Sequence, residues 1–178
     1  MSTLEEIKTK IEAIKKQKEE LTAKLRNDFA PMLQPLFEKS EGKIKSIGWI
    51  QYTPYFNDGE ECTFSTNFDL DYGLRVNGKR LDDEYDDEDE KESVFGCSLY
   101  ALRKYGTDDY VEWIKKYPED TIKEESKESD LALYACLKEF EEILESIDDE
   151  FYKDLFGDHV EVTVHSNGVI ETEEYDHD

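Results

Sequence analysis

Residues 44–59 read Ile-Lys-Ser-Ile-Gly-Trp-Ile-Gln-Tyr-Thr-Pro-Tyr-Phe-Asn-Asp-Gly. Aromatic and β-branched side chains crowd the run from Ile44 to Phe56, and such residues favour a pleated, half-buried strand. Asn57-Asp58-Gly59 supplies the turn that ends it. Pro54 cannot donate to a ladder, so it marks an edge or a bulge. Beyond the turn, Cys62, Phe64, Thr66, Phe68 and Leu70 alternate with Thr63, Ser65, Asn67 and Asp69. That period of two predicts a second strand with one buried face. Leu74 and Val76 then lead into Asn77-Gly78, a turn of the I′ kind. The strand after it is weak and runs straight into acid.

Outward toward the N-terminus the period changes. Leu4, Ile7, Ile11, Ile14, Leu21 and Leu25 recur at alternating steps of three and four, with Lys18 in the one missing slot. This predicts a helix with more than three heptads of coiled-coil seam. Thr3 and Glu6 have capping-box spacing, and Glu and Lys fill the solvated positions. Pro31 and Pro35 predict a break near Asp28–Pro31 and a short second helix to about Lys39.

Outward toward the C-terminus, residues 82–92 are nine-elevenths acidic, interrupted by Tyr85 and Lys91. Self-repulsion predicts a loop there. Helices are expected around Val94–Lys104 and Asp108–Tyr117, closed by Pro118. Leu133, Leu137, Phe140, Leu144, Ile147 and Phe151 step by four and three, predicting one long helix over about 129–156 with Gly157 as its stop. The chain ends in an expected hairpin. A three-residue loop, Ser166-Asn167-Gly168 with Gly168 left-handed, sets Ile170 opposite Val164; a two-residue loop would set Glu171 there.

The fold class expected is α+β: an antiparallel sheet of about four or five strands from the middle and C-terminus, packed with two long helices. Residues 1–40 form a helical arm and 41–178 an acidic domain, or the whole is one domain. The helices at 3–28 and 129–156 pack antiparallel within the chain, or the N-terminal seam pairs with its copy in a homodimer; the pattern allows both.

Charge is segregated. Residues 1–50 hold 10 Lys/Arg against 8 Asp/Glu, and residues 51–178 hold 12 against 38, within a formal net charge of −24. A dense anion repels nucleic acid and anionic membranes and attracts a basic protein surface. The aromatic content of 12% separates the chain from disordered acidic sequences. No apolar stretch is long enough to span a bilayer, and Met1–Glu6 has no signal pattern, so a cytoplasmic location is expected. Cys62, Cys97 and Cys136 are odd in number and far apart, which predicts free thiols and neither a disulfide framework nor a zinc site.

Catalytic signatures are missing. There is no GxGxxG, GxxxxGK[ST], GxSxG or HExxH motif. The acidic run lacks the glycine an EF-hand needs at its sixth position, where Asp87 stands. His159 and His165, near Glu161 and Glu171, are the one combination with metal-ligand chemistry, but nothing in the spacing fixes a geometry. No cofactor is expected.

Glu141, Glu142, Glu145, Asp148 and Asp149 share the polar face of the long C-terminal helix with few lysines four residues away. Like charges at that spacing cost a few tenths of a kcal/mol each. The N-terminal helix intersperses Lys among its acids; this one does not. The unneutralised face is therefore a candidate contact surface, together with Asp82, Asp83, Glu84, Tyr85, Asp86, Asp87, Glu88 and Asp89. Tyr85, inside the acidic run, is poorly placed for a core and suits an interface.

The segment Gly48-Trp49-Ile50-Gln51-Tyr52-Thr53-Pro54-Tyr55-Phe56-Asn57-Asp58-Gly59 resembles one found in small bacteriophage and prophage proteins to which no activity is attached. The ending around Gly157-Asp158-His159-Val160 with its acidic tail is similar too. The match covers about a third of the chain. It implies a phage setting, in which small acidic proteins include inhibitors of host defence. The leading expectation is an interaction protein that inhibits a host defence or nucleic-acid-binding protein through a DNA-mimic-like acidic surface. The alternatives are a coiled-coil dimeric scaffold, joined through Leu4–Leu25, whose acidity gives only solubility, and an enzyme with a site near Asn57, Asp58, Glu60 and Glu61.

Overall fold

The protein is described from a computed structural model, which covers residues 3–56, 59, 61–70, 73–80 and 124–176. Within them the order is α1 (Thr3–Lys39), β1 (Ser46–Tyr52), β2 (Ser65–Thr66), β3 (Arg75–Val76), β4 (Lys79–Arg80), α2 (Glu124–Glu145), α3 (Asp149–Phe156), β5 (Val160–His165) and β6 (Ile170–Glu174). It is an α+β fold. The sheet is antiparallel in every pairing, in the order β4-β3-β1-β5-β6, with β2 also on β1.

The stretch 44–59 sits at the centre. β1 pairs with β5 along its length, Ile47 opposite Val164 and Trp49 opposite Val162. Its other edge is shared, β3 taking Ile47–Gly48 and β2 taking Gln51–Tyr52. Pro54 lies past the end of the ladder. The expected alternation of 62–70 holds in burial, with Phe68 and Leu70 in the core and Phe64 packed against it. Only Ser65–Thr66 joins the sheet, because Asn67 Oδ1 turns back to accept the Asp69 N–H at 3.1 Å. Asn77 at φ 55° and Gly78 at φ 83° make the expected left-handed turn between β3 and β4. The C-terminal hairpin has the bulged loop: Gly168 is left-handed and Ile170 faces Val164.

Two helical expectations fail. α1 is one helix through Pro31 and Pro35. Both prolines are exposed and lie four residues apart, so the carbonyls left without donors face solvent. A proline inside a helix costs about 3 kcal/mol. Burial of Phe29, Ala30, Leu33, Leu36 and Phe37 around them offsets that. Conversely, the predicted helix 129–156 is two. Asp148 is in an extended conformation and caps α3, accepting the Glu150 N–H at 2.9 Å. The heptad steps run across the break, since Ile147 and Phe151 still face the core.

The helices cover one face of the sheet. Trp49 stands at the centre, its ring within 5.4–6.1 Å of Phe29, Phe68, Tyr152 and Phe156. α2 and α3 run antiparallel to α1, with Lys39 paired to Glu139 and Lys18 to Asp154 at 2.7 Å. The register differs from the one expected for residues 3–28: packing begins at Leu25 and continues to the helix end. The regions predicted as helices at 94–104 and 108–117 lie outside the described residues.

Candidate interaction surfaces

The first surface is the start of α1. Leu4, Ile7, Ile11, Ile14 and Leu21 are 48–65% exposed, although they continue the stripe that lower down carries the half-buried Leu25 and the buried Phe29. The chain thus builds a core-facing helix side and extends it past the end of the core. At 1.5 Å per residue, Thr3 to Lys24 is about 33 Å of helix. Most helical stability in proteins comes from packing of an amphipathic face, and large apolar side chains at heptad spacing gain about 1.5–3 kcal/mol each on full burial. The residues of the expected dimer seam are therefore exposed, except at Leu25, which is half-buried against the body.

The second surface, the acidic helix face, is smaller than the sequence suggests. Glu141 is a correction: it is 8% exposed and points inward, where Oε1 accepts the Leu70 N–H at 3.1 Å and Oε2 pairs with Lys138. Asp148 is exposed and also caps α3. Asp149, also exposed, accepts the Thr66 hydroxyl and ties α3 to β2. Glu145 is exposed, as are Glu142 and Glu150. Of the acids grouped by sequence on this face, Glu141 alone is withdrawn from solvent. Asp82, Asp83, Glu84, Tyr85, Asp86, Asp87, Glu88 and Asp89 lie outside the described residues. Exposed acids also occur on the edge strand β6, at Glu171, Glu173 and Glu174.

A polar cluster at the end of β1 went unread in the sequence. Asp158 accepts the Thr53 N–H at 2.8 Å, the Thr53 hydroxyl at 2.7 Å and Lys153 Nζ at 3.1 Å. Burial pushes its carboxyl up, but these bonds outweigh that and hold it at about 2. Next to it His159 has φ 54° and stacks on Tyr55 with ring centroids 4.8 Å apart. Gln51 is fully buried beside this cluster. It accepts from Trp49 Nε1 at 3.0 Å and donates to the carbonyls of Tyr152 and Gly157 at 3.2 and 2.6 Å. A polar residue in a predicted strand gave no sign that it would face the core. Both Asp158 oxygens are taken by bonds that fasten the α3–β5 link to β1. Of the alternative enzymatic turn, Asn57, Asp58 and Glu60 lie outside the described residues, and Glu61 is exposed.

The histidine pair is divided. His159 sits on Tyr55, while His165 Nε2 lies 2.9 Å from Glu171 on the hairpin. Among the described residues no group of three or more His, Cys, Asp or Glu side chains is arranged to hold a metal ion. Cys136 is buried with its thiol toward the Leu36 carbonyl, and Cys62 is half-buried; both are free. No helix among the described residues is long and apolar enough to cross a membrane. No protein-family model matches the chain, and neither a curated protein nor a solved structure does.

Proposed function

We propose that this chain acts by binding another protein through the projecting half of α1. One observation carries the reading: five large apolar side chains at heptad spacing stand exposed on a helix whose continuation is core. Burying them needs no rearrangement of the body, so the surface is ready-made for a second helix. A pull-down from bacterial lysate with the intact protein and an Ile7→Asp/Ile14→Asp variant, read by mass spectrometry, tests it. The variant loses the partners; retention of the same partners removes the reading.

A second reading keeps the acidic surface as the contact, in a phage-type inhibitor of a host defence or nucleic-acid-binding protein. It is supported by the exposure of Glu142, Glu145 and Glu150 on α2 and α3 in a chain of net charge −24. Here binding weakens steeply with salt and is abolished by reversing Glu142 and Glu145 to Lys, while Ile7→Asp/Ile14→Asp leaves it intact.

A further inference from the structure

The heptad of α1 has a charge order that says which kind of helix fits it. With Leu4 as an a position, a holds Leu4, Ile11, Lys18 and Leu25, and d holds Ile7, Ile14 and Leu21. The flanking e and g positions hold Lys8, Lys10, Lys15 and Lys24, with Thr3, Gln17 and Thr22 the uncharged exceptions. Glu5, Glu6, Glu12, Glu19 and Glu20 all fall at b and c, away from the seam. Net charge hides this, because the lysines border the apolar stripe and the glutamates face outward.

Self-pairing meets those lysines. In a parallel pair g faces the e position five residues on, so Lys10 opposes Lys15 of the copy on both sides, and Lys18 meets Lys18 in the seam. In an antiparallel pair e faces e and g faces g, and with Leu4 opposite Leu21 this sets Lys8 against Lys15. Like charges there are destabilising and set partner choice. The structure shows what such a lysine takes instead: Lys18, on the stripe, is paired with the Asp154 carboxylate of α3 at 2.7 Å.

We propose that the α1 arm pairs with an amphipathic helix of a different protein, one whose apolar seam is bordered by Asp or Glu, and not with its own copy. The proposal rests on the arm being a docking surface and adds the chemistry of the occupant. The seam residues supply burial, and the lysines supply the choice.

The test uses the full chain and two synthetic heptad peptides of the arm's length. Both carry Ile at a and Leu at d; one has Glu at every e and g, the other Lys. Titration calorimetry at low and moderate salt gives the affinities, and light scattering gives the mass of the free protein. The acidic peptide is expected to bind about tenfold or more tightly than the basic one, with the gap narrowing as salt rises. The body's own negative charge favours the basic peptide at long range, so this preference has to come from the arm. A Lys8→Glu/Lys10→Glu/Lys15→Glu/Lys24→Glu variant should invert the order, with circular dichroism confirming an unchanged body. Equal binding of both peptides, or preference for the basic one, overturns the charge rule and leaves the arm as a docking surface. Binding of neither overturns the docking reading as well. A dimer by light scattering that Ile7→Asp/Ile14→Asp dissolves shows that a second copy covers the seam, and overturns the proposal.

Discussion

Glu141 on α2 accepts the backbone N–H of Leu70, 71 residues earlier in the chain, at 3.1 Å. The bond fixes the end of the 62–70 segment against the helix and places Leu70 in the core. The other carboxylate oxygen is held by Lys138, so the charge is paired where it is buried. Glu141→Ala leaves the Leu70 amide without its acceptor, a loss of about 1–3 kcal/mol. Urea unfolding of the variant should show a lower midpoint with an unchanged slope; an unchanged midpoint contradicts the structural role. A Lys at this position unfolds the protein before it tests any docking surface, which is why charge reversal belongs at Glu142 and Glu145.

The way Glu141 was misplaced shows what sequence periodicity carries. Apolar steps located Leu133, Leu137, Phe140 and Leu144 on the buried side of α2, and turn chemistry gave the register of both hairpins at Asn77-Gly78 and Gly168. These are local consequences of side-chain period and backbone freedom. A glutamate beside that buried stripe is read as solvated by default, and only a long-range amide, Leu70, makes it otherwise. The same holds for Gln51. The prolines misled in the opposite sense, because their local cost was offset by burial of Phe29 and Phe37 that no short window contains. The uncovered seam was legible as a seam, but whether the body filled it depended on the packing register of α1 against α2 and α3.

Gln51 ties β1 to α3 and to the residue that ends it with one amide. Its carbonyl takes the Trp49 indole, and its NH2 serves two carbonyls, Tyr152 within α3 and Gly157 just past its end. Gln51→Leu keeps the volume roughly but strands a buried donor and two acceptors. A stranded buried group costs about 1–3 kcal/mol, so the variant should lose several kcal/mol in chemical unfolding, more than Ile50→Leu on the neighbouring position. Equal losses for the two variants contradict the bracket.

Asp158 makes stability depend on acid. Its folded carboxyl is held at about 2, below the ordinary value of 3.8. A depressed carboxylate stabilises the fold above its ordinary value, and the contribution is lost as pH falls through the folded value. The shift sets an upper bound of about 2 kcal/mol at neutral pH, which solvent screening of this partly exposed pair reduces. Asp158→Asn should therefore be less stable than the parent at pH 7 by up to this amount. The difference should shrink between about pH 5 and pH 2. Unfolding midpoints of both proteins across that range give the test. A difference independent of pH assigns the loss to packing and not to the charge.

The exposed half of α1 and its buried half should respond oppositely to removal. Leu4, Ile7, Ile11 and Ile14 touch solvent, and Lys18 is paired with Asp154 of the body. Deleting residues 1–16 keeps that pair, so the unfolding free energy of the body should change by less than about 1 kcal/mol. Phe29, by contrast, is fully buried between Trp49, Tyr152 and Phe156, with ring centroids 5.3–6.1 Å away. Phe29→Ala opens a cavity under the sheet and should cost about 3–5 kcal/mol. Thermal unfolding monitored by circular dichroism separates the two. A deletion that destabilises as strongly as Phe29→Ala means that the arm is part of the fold and leaves no free seam for a partner.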